Sequence, residues 1–463
     1  MGFGSTGTNF MEPDLVEIYA IDLMPTATEG TICAALSPEY HHKVHMFDPE
    51  GPLKQQPRDR PGKDFELQLD PTKPLPKPSR PYHMNPAERQ DWTVWRDTML
   101  NAGMISKAPA NTPLAAPFFF VWKKDGTWRL VINYRKLNDI MIKDSFPLPR
   151  IDETLERMHG AKFFSKFDLK MGYNQLSIKK EDQWKTAFMT PDGPYVMNVM
   201  TFGFANAPAY FQWWMSEVLE PVAGMNVVNY LDDTGTFNDN LPEHIQTNLA
   251  VLDCFDKHGI FLNLKKCMFH QREMNFLGVD VSDKGFEMEK PKVEAIEEWK
   301  APKNVRGVRE FVRFCNFYRW FIKSFSEIAR PLHDLTKVGQ PWSWGENEQH
   351  AFDTLKRVIT EAPVLIHADP DKKFQMETDT SSYAYGAVLS QKAEDKKHHP
   401  VAFYSKSMNP AERNYGISDK EALPIIKGLQ HWRHWLEGTK EPVRIITDHR
   451  NLEYFKNPHP LNR

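Results

Sequence analysis

Residues 226–237 read Asn226-Val227-Val228-Asn229-Tyr230-Leu231-Asp232-Asp233-Thr234-Gly235-Thr236-Phe237. An apolar run leads into two adjacent aspartates and a short run leads out, which suits two short strands with the acidic pair at the bend. Adjacent carboxylates at a strand end repel each other unless a cation screens them. Hard carboxylate oxygens suit Mg²⁺, which takes one or two carboxylates together with phosphate oxygens. Taken alone, an Asp-Asp pair at a turn also reads as a solvated turn. Upstream, however, Phe163-Phe164-Ser165-Lys166-Phe167-Asp168-Leu169 is an apolar strand with one aspartate. Two strands that present aspartates to one point can hold two ions ~3.5–4 Å apart, an arrangement suited to in-line displacement at phosphorus.

The surrounding elements read as mixed α and β. Asn85-Pro86-Ala87-Glu88 has the N-cap, the N1 proline and the acidic first turn of a helix that Gly103 stops. Asp125-Gly126 joins two apolar runs as a hairpin, and Asp192-Gly193 predicts a second one. Residues 205–220, 241–258 and 290–337 read as helical. Residues 362–463 form a separate block of strands (374–379, 386–391, 401–406, 443–448) and a helix from about Ser418, so a mixed sheet flanked by helices is expected. Prolines crowd the stretch from Pro49 to Pro81, which reads as an extended linker or a chain wrapping another domain.

Several motifs agree in order and spacing with one known family. Tyr230-Leu231-Asp232-Asp233, Phe167-Asp168-Leu169, Phe202-Gly203-Phe204-Ala205-Asn206-Ala207-Pro208-Ala209-Tyr210-Phe211-Gln212 and Pro147-Leu148-Pro149-Arg150-Ile151-Asp152 resemble the reverse transcriptase of gypsy-type LTR retrotransposons, from about Pro38 to Arg463. The resemblance implies an α+β right-hand polymerase (fingers, palm, thumb) followed by a truncated RNase H-like domain. Its boundaries fall at 1–80 for an N-terminal connector, 81–283 for fingers and palm, 284–360 for thumb and connection, and 361–463 for the RNase H-like part. Asp168, Asp232 and Asp233 match the metal-binding aspartates of the palm, with two Mg²⁺ ions implied. Tyr173 matches an aromatic steric gate that selects deoxynucleotides; an ordinary core tyrosine is the alternative. Phe202 and Gly203 belong to the same substrate-binding set. Lys123, Lys124 and Arg129 match fingers residues that contact the incoming triphosphate, or else mark a solvated hairpin tip. Leu277 and Gly278, in Asn275-Phe276-Leu277-Gly278, match the primer-grip hairpin.

The chain departs from the pattern in places. It has Asn133 where the family has aspartate, Thr201 where proline is usual, and Thr234-Gly235-Thr236-Phe237 where an aliphatic strand normally follows the aspartates. Glycine and polar residues weaken a strand, so these raise the rival reading of a catalytically degenerate remnant that only binds nucleic acid. Asp233-Thr234-Gly235 also spells an aspartic-protease triplet, but the apolar flanking strands of such a protease are missing.

Between residues 300 and 340, nine Lys and Arg oppose three acids, with aromatics interleaved. A helix carrying Arg306, Arg309 and Arg313 would neutralise phosphates without reading sequence, or simply present a solvated face. Arg313 stands where the family has a small glycine, which predicts altered packing. In the last block, Asp379 and Asp448 end strands and Glu421 lies early in a helix. The resemblance makes them a second two-metal site, cutting the RNA of an RNA–DNA hybrid. The chain stops at Arg463, before the family's fourth carboxylate. Glu421 also fits a capping box with Ser418, and Pro424 inside that helix predicts a kink or a loss of about 3 kcal/mol.

Composition sets the outer bounds. The chain has 463 residues, 41% hydrophobic, with a net charge of −3, so sizeable cores are expected and any nucleic-acid partner must be held by local basic surface. Four scattered cysteines exclude a disulfide framework and fit a reducing compartment. No 18-residue apolar run predicts a membrane span, and no signal peptide is visible. His41, His42 and His45 read as solvated histidines rather than a metal site. The expected partners are an RNA template, a DNA primer, the RNA–DNA hybrid and dNTPs, with a homodimer possible. The expected setting is the cytoplasm or a virus-like particle, with access to the nucleus.

Overall fold

The computed structural model describes residues 29–54, 62–122 and 128–447. The chain divides into two compact units, residues 1–274 and 275–463.

The first unit begins with a segment that sequence pattern left as connector. Glu29–Ala35 is a helix and Pro38–Phe47 a 3-10 run, with Tyr40, Met46 and Phe47 buried. Lys43 reaches Asp253 and Asp256, and His45 also meets Asp256. His41 bonds the Leu36 carbonyl, so the histidines do not gather. Farther on, the proline-rich stretch does wrap the unit: Phe65 and Leu67 are fully buried, and Phe65 bridges Ile178.

Helix α1 (Pro86–Asn101) carries the expected cap as a full capping box between Asn85 and Glu88. It packs Trp92, Trp95 and Met99 inward. Strands β1 (Ile105–Lys107), β2 (Ala116–Trp122) and β3 (Trp128–Ile132) follow, then β4 (Phe163–Asp168), β5 (Phe188–Thr190) and β6 (Gly193–Met197). One five-stranded sheet has the order β1-β6-β5-β2-β3. Its second hairpin turns at Pro191-Asp192, one residue before the predicted pair, with Gly193 at φ +105° opening β6. The Asp192 carboxylate accepts hydrogen bonds from Arg89, Trp92 and Arg96, tying the turn to α1.

Helix α2 (Ala207–Val218), strands β7 (Val227–Tyr230) and β8 (Asp233–Asn238), helix α3 (Leu241–Lys257) and strand β9 (Met268–Gln271) complete the unit. The second sheet has the order β7-β8-β4-β9. Behind it lies a buried polar network. Ser165 of β4 is hydrogen-bonded to His244 and Asn248 of α3, Asn248 also donates to the Tyr40 hydroxyl, and Thr236 of β8 donates to Asn248. Buried polar groups persist only when paired in this way.

The second unit starts within β10 (Glu273–Phe276), followed by β11 (Val279–Ser282) and β12 (Gly285–Met288) in a three-stranded sheet. Helices α4 (Lys290–Glu297), α5 (Val305–Phe317) and α6 (Glu346–Thr360) come next. In α5, Val308, Phe311, Val312 and Cys315 are buried at helical spacing, so the arginines fall on the opposite face. Strands β13 (Phe374–Thr380), β14 (Ala384–Lys392) and β15 (His398–Ser407), helix α7 (Ile417–His431) and strand β16 (Arg444–Ile446) form the last block. Its order is β15-β14-β13-β16, with β13 and β16 parallel. This is the mixed sheet the strand pattern predicts.

One local expectation for α7 does not hold. The helix begins at Ile417 with Gly416 as N-cap and no side-chain cap. Ser418 is therefore already inside the first turn and makes no capping box with Glu421. Pro424 lies inside the helix, as the sequence reads. Its missing N–H leaves the Lys420 carbonyl, four residues back, without its helical donor, and the Thr380 hydroxyl donates to that carbonyl at 3.4 Å.

Candidate active site

Strands β4 and β8 run antiparallel with Asp168 directly opposite Asp233. Tyr230 pairs with Asp233 across a two-residue turn, Leu231-Asp232. Only Asp232 therefore occupies the bend, and Asp233 opens the next strand. Leu231 has φ +55°, a left-handed conformation that a residue with a Cβ adopts at a cost of about 1–2 kcal/mol. Gln212 of α2 holds it there: its Oε1 accepts the Leu231 N–H at 2.7 Å. Gly172 brings a 3-10 turn close on the other side, since a Cβ there would lie 3.5 Å from the Asp232 Cβ.

The electrostatics follow from burial. Desolvation, reinforced by the neighbouring Asp233 charge, pushes the Asp232 carboxyl up to about 6. Asp168 is also raised, by desolvation first, with Lys266 opposing. Lysines meet two of the three acids. Lys166 Nζ lies 2.9 Å from Asp233 Oδ1, and Lys266 Nζ 3.7 Å from Asp168 Oδ2. Cys267 accepts the Asp168 N–H, and burial pushes its thiol up to about 12. Among the described residues no three acidic, histidine or cysteine side chains form a closed metal cage. Paired carboxylates short of positive charge still fit a hard divalent cation, because Mg²⁺ is usually held by one or two carboxylates plus substrate phosphates.

The polar residues after the aspartates do not break β8. Thr234 and Thr236 are fully buried, and each donates to an asparagine, Asn229 and Asn248 respectively. The hydroxyls are satisfied inside the sheet, so the departure from an aliphatic strand is absorbed.

The second constellation is more open. Asp379 and Glu377 are both exposed on β13. They line a cavity of about 280 Å³ with Lys323, Ser324, Gly386 and Ile446. Glu421 lies more than a turn into α7, next to the Lys420 carbonyl bound by Thr380. Asp448 falls outside the described residues.

Residues 121–281 match the family Reverse transcriptase (RNA-dependent DNA polymerase), and residues 344–445 match the RNase H-like domain found in reverse transcriptase. The chain thus carries a segment similar to reverse transcriptases followed by one similar to their RNase H-like domains. It is 37% identical over 415 residues to the Transposon Tf2-3 and Tf2-7 polyproteins of Schizosaccharomyces pombe. The match takes in 90% of this chain but 31% of each polyprotein, so the chain spans about a third of their length. These relatives agree with the gypsy-type resemblance. Among solved structures, the foamy viral protease–reverse transcriptase in complex with dsDNA shares the fold at a TM-score of 0.75 and 21% identity, covering 96% of this chain and 94% of that one. The same viral protein with an RNA/DNA hybrid gives a TM-score of 0.70 at 20% identity, covering 95% and 60%. Both domain families use divalent metal ions.

The remaining candidate residues fall into place unevenly. Tyr173 and Phe202 stack at 4.3 Å, and Tyr173 is almost fully buried. Gly203 has φ +101°, and its carbonyl accepts from Asn138. Arg129 belongs to β3, its side chain outside the described set; Lys123 and Lys124 lie outside it altogether. Leu277 and Gly278 have φ +53° and +78° and form the two-residue turn between β10 and β11. Such a turn needs both central residues left-handed. The Tyr318 hydroxyl donates to the Gly278 carbonyl.

On α5, Arg306 pairs with Glu310, and Arg309 donates to the Thr336 carbonyl. Arg313 is exposed, so an arginine in place of glycine does not disturb the packed face. The sequence reading missed Gln212, Lys166 and Lys266. A lysine two residues before Asp168 shares its strand face, which was the available signal for Lys166. Gln212 closes the Phe202–Gln212 motif, which gave it no role of its own.

Proposed function

We propose that the chain is an RNA-directed DNA polymerase that extends a DNA primer on a nucleic-acid template. The observation that carries this reading is the register of Asp168 against Asp233, with Asp232 in the turn between β7 and β8, inside the segment that matches the reverse transcriptase family. The reaction class is attack of the primer 3′-OH on the α-phosphate of a dNTP, with release of pyrophosphate. Bound Mg²⁺ would supply the charge that neutralises the triphosphate and acidifies the 3′-OH.

The chain's own residues do the positioning. Asp168 and Asp232 would hold the metal, and Asp233 completes the acidic end of the sheet. Gln212 fixes the strained turn, so the Asp232 carboxylate needs no reorganisation when substrate arrives. Tyr173, stacked on Phe202, follows Gly172, which closes on Asp232; there it would meet the sugar of the incoming nucleotide and favour dNTPs. Lys123, Lys124 and Arg129 are proposed for the triphosphate, Leu277 and Gly278 for the primer, and Arg306, Arg309 and Arg313 for the duplex backbone. The foamy viral protein, caught with dsDNA and with an RNA/DNA hybrid, supports nucleic acid as the partner class. In the RNase H-like domain, Asp379, Glu421 and Asp448 are proposed to hold Mg²⁺ for cleavage of the hybrid's RNA strand.

The test is dNTP incorporation on poly(rA)–oligo(dT) with Mg²⁺. The wild-type chain is expected to incorporate, and Asp232→Asn to lose incorporation while staying folded. A folded wild-type chain that binds the hybrid but incorporates nothing would leave only the nucleic-acid-binding remnant.

A further inference from the structure

The two lysines at the carboxylates differ in kind. Lys266 is 56% exposed, and its ammonium stands off Asp168 at 3.7 Å, a distance at which water competes. Lys166 is 17% exposed and in direct contact with Asp233 at 2.9 Å. Lys166 and Asp168 lie two apart on β4 and share a face. Directly opposite Lys166 in the register is Gly235, and directly opposite Asp168 is Asp233. The Lys166–Asp233 pair therefore runs diagonally across the two strands, within reach of a long side chain. Any other residue at 235 would set a side chain on this face beside the lysine stem. Among the described residues, Asp232 forms no ion pair.

We propose that Lys166 is a built-in cation of the carboxylate cluster: it neutralises Asp233 and leaves Asp168 and Asp232 as the pair that receives divalent metal. Gly235 is the gap through which the lysine crosses, so a residue that looks like decay of the strand is part of the device. Lys166 is thus a positioning residue, acting through Asp233 rather than on substrate. The inference rests on the metal-binding reading of the aspartates given above.

The experiment is a Mn²⁺ titration of the full chain without nucleotide, following free Mn²⁺ by electron paramagnetic resonance, with thermal unfolding as the check on folding. The wild-type chain binds Mn²⁺ and Asp232→Asn loses the site. Lys166→Met tightens binding, by about three- to tenfold for one nearby charge in a partly solvated site, and Asp233→Asn weakens it. The double variant Lys166→Met/Asp233→Asn, which removes the pair together, returns to within about threefold of wild type. A double variant that loses Mn²⁺ as completely as Asp232→Asn makes Asp233 a ligand and overturns the proposal. So does a folded Lys166→Met with unchanged affinity. If Lys166→Met alone does not fold, the double variant decides. A folded wild type that takes up no Mn²⁺ removes the metal reading itself, a failure distinct from the other two.

Discussion

The two carboxylate sites are built to opposite plans. In the sheet of β4 and β8, acids lie partly buried on paired strands, two are met by lysines, and burial raises Asp232 to about 6. In the RNase H-like sheet, Asp379 sits exposed at the rim of a cavity. The difference shows where strain is stored. The first site carries a left-handed leucine and a desolvated acid, both stabilised by the surrounding fold. The second site carries neither at Asp379.

Substitution should therefore separate the two sites. The largest expected effect is from Asp232→Asn, which lowers incorporation by at least about a thousandfold, as expected for a group acting directly on the reacting centre. The same change stabilises the metal-free chain at pH 7, by roughly 1–3 kcal/mol, because it removes an ionised group from a site that disfavours charge. Asp379→Asn is expected to leave primer extension within about twofold and to shift stability by under about 0.5 kcal/mol, the usual range for an exposed site. Equal stability changes at the two aspartates, read from urea midpoints, would erase the comparison.

The pH dependence sharpens it further. The folded Asp232 binds its proton more tightly than the unfolded chain does, between about pH 4 and pH 6. Its contribution to stability is full below pH 4 and lost as pH rises through 6. His244 behaves differently: burial lowers it to about 4, so its contribution is full above about 6.5 and is lost as pH falls toward 4. Asp232→Asn should thus flatten the first trend and His244→Gln the second, as measured by denaturant titration at pH 4, 5, 6 and 7.

Smaller effects are expected from the supports. Gln212→Ala frees the Leu231 N–H and should lower kcat about tenfold with little change in dNTP KM, since a misplaced turn loses orientation rather than binding. Pro424→Ala should stabilise the chain by less than about 3 kcal/mol, the full helix-interior penalty, because Thr380 already serves the orphaned carbonyl. A gain of that full size would show that the Thr380 contact contributes nothing.

What was legible in the sequence followed local rules. The cap at Asn85, the second hairpin to within one residue, the strand–turn–strand around Asp232 and the helical spacing in α5 each rest on residues a few positions apart, whereas the turn at Asp125-Gly126 lies outside the described residues. What was not legible depended on register and on distant partners. Gly235 reads as a defect until Lys166 is seen opposite it. The buried Tyr40 reads as linker until Asn248 and His270 are known to meet it. Ser418 loses the N-cap position to Gly416 because the helix starts earlier than the capping pattern implied, and the two starts differ by only two residues.

The buried Tyr40 also fixes how short the first unit can be cut. Its hydroxyl accepts from Asn248, which in turn donates to Ser165, three residues before Asp168 on the same strand. A cut anywhere between Phe47 and Pro86 would release a chain with an emptied aromatic slot behind its active-site strand. A fragment that keeps this strand backed by its aromatic therefore has to begin upstream of Pro38.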